Sequence, residues 1–282
     1  MTDQPESGVH PRNKLNNLSG KQWLYFLASV EGTAYPVSGP ESYGHALRRV
    51  HPSPKPPQLM RRLVEFFTKP GGWVLDPFCG VGGTLLGASL CGRNAVGVDL
   101  EPEFLKVYRS VSEMEGLAPQ VAVEGDARCL AQIPEVAEHL YDVILTDPPY
   151  AGMMTRPQSG EKKKKTGGDD PTPFTESLKD LGNLPYAEFV GALRSIIESA
   201  LPLLRPKGHV VLFTKDIQPT AEHHNMLHAD IVSAFKAIEG LRYRGCKIWY
   251  DKTVNLYPFG YPHAFVANQL HQYILIFRKE AE

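Results

Sequence analysis

The chain lacks paired cysteines. Cys79, Cys91, Cys129 and Cys246 contain no CxxC pair and no paired spacing with histidines, which argues against a zinc site or a disulfide framework. It lacks an excess of either charge: 30 basic against 31 acidic residues leave a net charge of −1, so no global positive field announces a polyanionic partner, and any such surface has to be local. It lacks an apolar run approaching the roughly 18 residues of a membrane span, and its polar first 17 residues have no basic-then-apolar leader pattern, so no membrane and a cytoplasmic location are expected. It lacks internal repeats, which disfavours a solenoid. What is present, 42% hydrophobic and 22% charged residues over 282 positions, is ordinary for a globular protein and excludes wholesale disorder.

From about residue 58 onward short apolar runs alternate with helical stretches. Strands are expected at 73–75, 95–98, 121–123, 143–145 and 209–213, with helices at 58–68, 83–91, 103–115, near 133–139, at 185–204 and at 228–238. That alternation predicts an α/β fold, a doubly wound, mostly parallel sheet with helices on both faces. The end differs: 246–250 and 273–277 read as strands with no helix between them, an antiparallel pair at one sheet edge. Before residue 58, Ser19 to Gln22 followed by Trp23, Leu24, Phe26 and Leu27 reads as a capped short helix, and 34–57 as an ordered loop or a mobile arm. The division expected is an arm at 1–57 and a main domain at 58–282, with insertions at 152–184 and 253–270. The first insertion carries Lys162 to Lys165 beside Gly167, Gly168, Asp169 and Asp170, a composition unable to order itself by burial; it is expected to be a flap over the site.

Two segments carry chemistry. Asp76-Pro77-Phe78-Cys79-Gly80-Val81-Gly82-Gly83-Thr84 follows a strand and opens a helix, where glycines let a ligand approach the backbone at the carboxyl edge of the sheet. A dinucleotide fingerprint starting at Gly80 requires glycine at 85, which is Leu85, so a nicotinamide site is disfavoured. Asp99, ending the next strand some 20 residues on, suits a ribose diol, although a helix cap explains it equally. Asp126, after the third strand, offers a further acceptor, suited to an adenine amino group.

The second segment, Asp147-Pro148-Pro149-Tyr150, ends the fourth strand. The prolines hold an extended turn and remove competing amide donors, so Asp147 and the Pro148 carbonyl can converge on one NH2 group. An aryl amine is a poor nucleophile because its lone pair is delocalised. Two acceptors binding its protons localise that pair, and Tyr150 offers a flat face to a base.

With both segments in this order, the chain resembles the DNA amino-methyltransferases that make N6-methyladenine or N4-methylcytosine, over roughly residues 15–279. The resemblance implies a Rossmann-like methyltransferase sheet and S-adenosyl-L-methionine as cofactor, with no metal. Carried over by motif, Asp76, Phe78, Gly80, Gly82 and Thr84 surround the methionine part. Asp99 takes the ribose and Asp126 the adenine, and His51, in His51-Pro52-Ser53-Pro54-Lys55-Pro56, helps to close the pocket. Asp147, Pro148, Pro149 and Tyr150 become the catalytic turn. The implied reaction is methylation of an exocyclic amine in DNA, adenine N6 ahead of cytosine N4 because aspartate opens the turn. DNA is the partner, with RNA as an alternative and a restriction-modification setting possible; a non-catalytic nucleic-acid-binding subunit is the rival of another class.

The chain departs from the family in having no separate target-recognition domain of substantial length, so recognition is expected from the segment before residue 51, from the insertions or from another subunit. Tyr257, Phe259 and Tyr261 are candidates for a second wall of the base pocket. Two basic clusters, Arg48, Arg49, Lys55, Arg61 and Arg62, and Arg242, Arg244, Lys247 and Lys252, are candidates for phosphate contact.

Overall fold

A computed structural model describes residues 8–150, 177, 179–216 and 226–280. The Lys162 to Lys165 run, and with it most of the expected flap, lies outside the described residues.

The centre is an eight-stranded sheet of order β1-β7-β8-β6-β5-β2-β3-β4. Its strands are β1 (Val30–Thr33), β2 (Trp73–Asp76), β3 (Asn94–Asp99), β4 (Val121–Glu124), β5 (Tyr141–Thr146), β6 (Leu204–Thr214), β7 (Leu241–Asp251) and β8 (His271–Lys279). All neighbours are parallel except β8, which runs antiparallel to both β6 and β7. The antiparallel pair read from the sequence is present, and β1 lies outside it as the outermost strand on that side.

Residue alternation along the buried strands divides the core. Leu75 and Ile144 face a cluster with Phe189, Leu193 and Ile197 of one helix and Ile231 and Phe235 of another. Val74, Val143 and Leu145 face Leu63, Val64, Leu85 and Leu86 on the opposite side. The helices concerned are α1 (Gly20–Phe26), α2 (Pro57–Phe67), α3 (Gly83–Ser89), α4 (Pro102–Met114), α5 (Tyr186–Ala200) and α6 (Leu227–Phe235). The expected helix near 133–139 is instead a 3-10 segment, Ala127–Gln132, and a single α turn, Pro134–Ala137. Among the described residues no helix is long and apolar enough to cross a membrane.

The described residues before α2, 8–56, are tied to this core. Ser19 and Gln22 form the capping box that starts α1, and Phe26 stacks on Phe66 of α2 at 3.7 Å between ring centres. Lys247 of β7 is buried and donates to the carbonyls of Phe26 and Ala28, tying α1 and β1 to the sheet. Burial, with Arg62 nearby, pushes its pKa down to about 8. These bonds remove Lys247 from the phosphate-contact candidates, because a buried ammonium bonded to two carbonyls has no free donor face toward solvent.

Candidate active site

The site lies at the carboxyl ends of β2, β3, β4 and β5, where loops leave a parallel sheet and helices return. Asp76 ends β2 with 3% of its surface exposed. Its carboxylate accepts hydrogen bonds from Thr84 Oγ1 at 2.5 Å, Thr146 Oγ1 at 2.7 Å and the Phe78 amide at 3.1 Å. One side chain thus joins β2, α3 and β5. Burial raises its pKa to about 6, partly offset by those hydrogen bonds.

The turn that follows needs its glycines for different reasons. Gly80 and Gly82 both have positive φ, 49° and 75°. A Cβ on Gly80 meets His51 Nε2 at 3.1 Å, whereas one on Gly82 meets the Tyr108 ring at 2.2 Å. Gly80 therefore leaves room at the cleft, while Gly82 lets the turn pass over a buried tyrosine of α4 and lines neither pocket described below.

The Gly80 amide donates to Asp99 Oδ2 at 2.7 Å and the Glu101 amide to Asp99 Oδ1 at 3.0 Å. The cap of α4 is Glu101, not Asp99. Each carboxylate oxygen has two lone-pair sites, so Asp99 keeps acceptor capacity toward the cleft. Burial raises its pKa to about 6, with these backbone bonds opposing. Asp126 caps the 3-10 segment and is gripped in fork geometry by Arg128, at 2.9 and 2.8 Å. Burial opposes its ionisation, but the Arg128 hydrogen bonds and charge hold its pKa below the ordinary carboxylate value.

His51 packs edge-on against Phe104, 4.9 Å between ring centres, and its Nδ1 accepts from the Ser53 amide at 3.2 Å. Burial, reinforced by Lys55 and Arg48, drives its pKa down to about 3, so the ring is neutral near pH 7. Arg48 is fully enclosed and donates to the carbonyls of Val81 and Lys55. Burial lowers its pKa to about 10, so it remains a cation that staples the Pro-rich loop to the glycine turn.

Asp147 stands where these parts meet. Lys55, 7% exposed, forms an ion pair with Asp147 Oδ2, and Tyr150 donates its hydroxyl to Asp147 Oδ1 at 2.6 Å. Tyr150 is only 5% exposed. Its ring closes one side of the cleft while its hydroxyl orients the carboxylate, a second task beside the flat face expected from sequence.

Two adjoining pockets result. The outer cleft, about 720 Å³, is lined by Phe78, Asp99, Phe104, Asp126, Pro148 and Tyr150, among others. The inner one, about 330 Å³, is lined by Arg48, Lys55, Asp76, Gly80, Gly83 and Thr84. His51, Ser53, Phe78 and Asp147 line both.

The expected residues therefore converge, apart from Gly82, and the lining residues that the sequence did not point to include Phe104, Asp180 and Lys55. Phe104 is an apolar position of an amphipathic helix and looks like any other. Asp180 lies near the end of the first insertion. Lys55 stands 92 residues before its partner.

The first basic cluster is corrected in part, since Arg49 stays exposed. Arg48 and Lys55 are buried, and Arg61 and Arg62 pair with Glu65 and Glu31. In the second cluster Arg244 pairs with Glu280. The wall expected from Tyr257, Phe259 and Tyr261 is also corrected: none of the three lines either pocket, and Tyr261 is 80% exposed. The Tyr257 amide and carbonyl are clasped by the Asn268 side chain at 2.9 and 2.8 Å, which fixes the base of that loop.

Residues 9–110 match the N6/N4 methyltransferase family described as DNA methylase. Over that stretch the chain is similar to this family. A tRNA (guanine(10)-N2)-dimethyltransferase of Methanothermobacter thermautotrophicus is 34% identical over 116 residues, covering 41% of this chain and 32% of that protein. The Type II methyltransferase M2.DpnII of Streptococcus pneumoniae is 43% identical over 65 residues, covering 23% of this chain and 24% of that one. The chain thus spans about a third or less of the length of these two relatives. The crystal structure of NSun6 from Pyrococcus horikoshii with SFG superposes with a TM-score of 0.51 over 82% of this chain and 53% of that one, at 15% identity, and shows the fold.

S-adenosylmethionine is the cofactor of the family, and the residues present fit it. Carboxylates Asp99 and Asp126 offer acceptors to a ribose and an amine, and Phe78 and Phe104 offer apolar faces. The inner pocket is bounded by Asp76, Asp147 and a neutral His51, surroundings that tolerate a sulfonium cation.

Proposed function

We propose that this chain transfers the methyl group of S-adenosylmethionine to the exocyclic amino nitrogen of a nucleobase, with adenine N6 in DNA as the primary substrate. The observation that carries the reading is the position of Asp147, which lines both cofactor pockets and is held there by Lys55 and Tyr150. The cofactor supplies an electrophilic methyl group. The chain's own work is to hold the amine: Asp147 and the Pro148 carbonyl accept its two protons and return its lone pair to nitrogen. Lys55 and Tyr150 fix the Asp147 carboxylate from two sides, so its orientation is set before substrate arrives. On transfer nitrogen gains the N–CH3 bond, sulfur keeps the electrons of the broken S–CH3 bond, and one amine proton is released.

The reading for DNA is supported by the family match and by the likeness to M2.DpnII. A second reading, the N2 amine of guanine in tRNA, is favoured by the longer matched stretch shared with the tRNA (guanine(10)-N2)-dimethyltransferases. Both use the same chemistry on the same kind of nitrogen. Incubation with isotopically labelled S-adenosylmethionine and either DNA or tRNA, digestion to nucleosides and mass spectrometry separate them. N6-methyladenine in DNA is the expected product. N2-methylguanine in tRNA establishes the second reading, and cofactor binding without any methylated nucleoside overturns both.

A further inference from the structure

Residues 252–270 join β7 to β8, and topology puts them beside the catalytic turn. β6 and β7 are each antiparallel to β8, so β7 runs parallel to β6 and, through it, to β5. The last residue of β7, Asp251, and the first of β8, His271, therefore stand at the same sheet edge as Asp147, which follows β5. The feet of the loop, Val254, Gln269 and Leu270, line a cavity of about 890 Å³ that is also lined by Lys55, the partner of Asp147.

The loop is held by its own bonds. Asp251 Oδ1 accepts from the Thr253 amide and hydroxyl at 2.8 and 2.7 Å, and Asn268 clasps the Tyr257 backbone across the loop. The outer turn closes through the His263 and Ala264 amides, which donate to the Gly260 carbonyl at 2.8 and 2.7 Å. Gly260 has a φ of 76°, and a Cβ there would meet the Ala264 carbonyl, so the turn depends on glycine. This ordered turn holds apolar side chains out in water: Tyr261 is 80% and Phe265 94% exposed, with Leu256 and Phe259 exposed beside them. A single exposed apolar residue needs no explanation, but several gathered on one loop mark a contact surface.

Charge identifies the partner. From Lys252 to Lys279 the chain carries no aspartate or glutamate, although the whole chain has 31 in 282 residues. Lys252 and His263 are exposed on the loop, and Asp251 at its foot is engaged by Thr253. Apolar rings with a cation and no anion among them suit a polyanion whose bases offer flat faces, and stacking on aromatic side chains holds nucleic acid without reading its sequence. A protein partner also covers apolar groups, but its recognition does not require acids to be absent over so long a stretch. Tyr261 and Phe265 line none of the three cavities, so the bases they meet lie outside the reacting pocket.

We propose that Tyr261 and Phe265 stack on bases of the substrate strand that flank the reacting base, with Lys252 contacting the phosphate backbone beside them. The inference rests on the proposed function for the presence of nucleic acid. Every base has a π face, so this grip is tolerant of sequence. Bases stacked in a duplex have both faces covered, so the loop engages where the stack is open.

The test measures binding of a mixed-sequence single strand of DNA and of an abasic strand of equal length by fluorescence anisotropy, with S-adenosylhomocysteine present. The wild type is expected to bind the base-bearing strand more tightly. Tyr261→Ser and Phe265→Ser are each expected to weaken that strand about tenfold, the worth of one stacked base, while the abasic strand and the salt slope stay as in the wild type. Phe265→Trp should retain the affinity. Lys252→Gln should weaken both strands alike and flatten the slope by about 0.7 log units. Both rings are exposed, so the serine variants should keep the wild-type melting temperature and cofactor affinity. Serine variants that bind the base-bearing strand as the wild type does, or that lose as much on the abasic strand, overturn the proposal. Loss of self-association in sedimentation with strand affinity unchanged also overturns it, and assigns the loop to a contact between copies of the chain. Methyl transfer is scored separately: ring-dependent strand binding without any methylated nucleoside overturns the proposed function and leaves the loop's assignment standing.

Discussion

The two halves of the sheet edge use polar groups in opposite ways. On the β2–β3–β4–β5 side the four carboxylates that line the cleft from the strand ends and the turns after them, Asp76, Asp99, Asp126 and Asp147, are already partnered. Asp76 is bonded by two threonines, Asp99 by two backbone amides, Asp126 by Arg128, and Asp147 by Lys55 and Tyr150. On the β6–β8–β7–β1 side a cavity of about 890 Å³ is lined by the half-buried Lys215, and the buried Tyr35 hydroxyl and Gln272 Oε1 have no hydrogen-bond partner among the described residues. The first half is preorganised; the second leaves buried polar groups unsatisfied. A satisfied network gives a fixed geometry, whereas unsatisfied buried groups carry the cost of their desolvation.

This comparison is broken most severely by disturbing the partnered half. Gly82→Ala places a Cβ 2.2 Å from the buried Tyr108 ring and asks alanine to adopt a φ of 75°. A destabilisation of roughly 2–5 kcal/mol is expected from left-handed backbone strain plus overpacking. Thermal unfolding should register it as a clear drop in melting temperature; an unchanged value places the turn elsewhere than over Tyr108.

Next comes Asp99→Asn, which removes a charged acceptor but keeps the shape. Cofactor affinity by calorimetry should fall by about 1.5–3 kcal/mol. Because burial raises the Asp99 pKa to about 6, the wild type itself should lose affinity as pH falls through that value, by up to about tenfold per pH unit for one proton. The ionised carboxylate accepts both ribose protons and the protonated one does not, so the sign is tighter binding above pH 6. The folded-state pKa lies above the ordinary carboxylate value. The same shift therefore contributes stability to the cofactor-free protein at low pH that is lost as pH rises from about 4 to about 6.

A smaller effect is expected from Lys55→Met. Asp147 then keeps Tyr150 but loses its cation, and the rate of methyl transfer should fall about tenfold, the worth of one charge-assisted hydrogen bond. Lys55→Arg should restore part of it. A rate unchanged in Lys55→Met means the ion pair does not position the carboxylate.

The partnered half was also the legible one. In a parallel strand-turn-helix unit the turn residues lie next to the strand they end, so Asp76, Gly80, Asp99 and Asp147 are readable from local spacing. The α1 cap is local too, and Ser19 and Gln22 announced it. What escaped depends on contacts between distant segments. β1 is only four residues long, and its place outside β7 is fixed by Lys247 bonding to Phe26 and Ala28. Lys55 reads as one cation among several until the fold brings it to Asp147. The insertion at 253–270 advertised its aromatics, but the residues that line the cavity are its quieter neighbours Val254, Gln269 and Leu270.

The central claim is that Asp147 holds the reacting amine while the groups around the glycine turn hold the cofactor. Asp147→Ala tests it in one preparation, by single-turnover methyl transfer to DNA alongside a calorimetric titration with S-adenosylmethionine. The account predicts a transfer rate about a hundredfold to a thousandfold lower, the range for removing one preorganised polar group, with cofactor affinity within a few-fold of the parent. Transfer within tenfold of the parent, in a variant that binds cofactor normally, contradicts it.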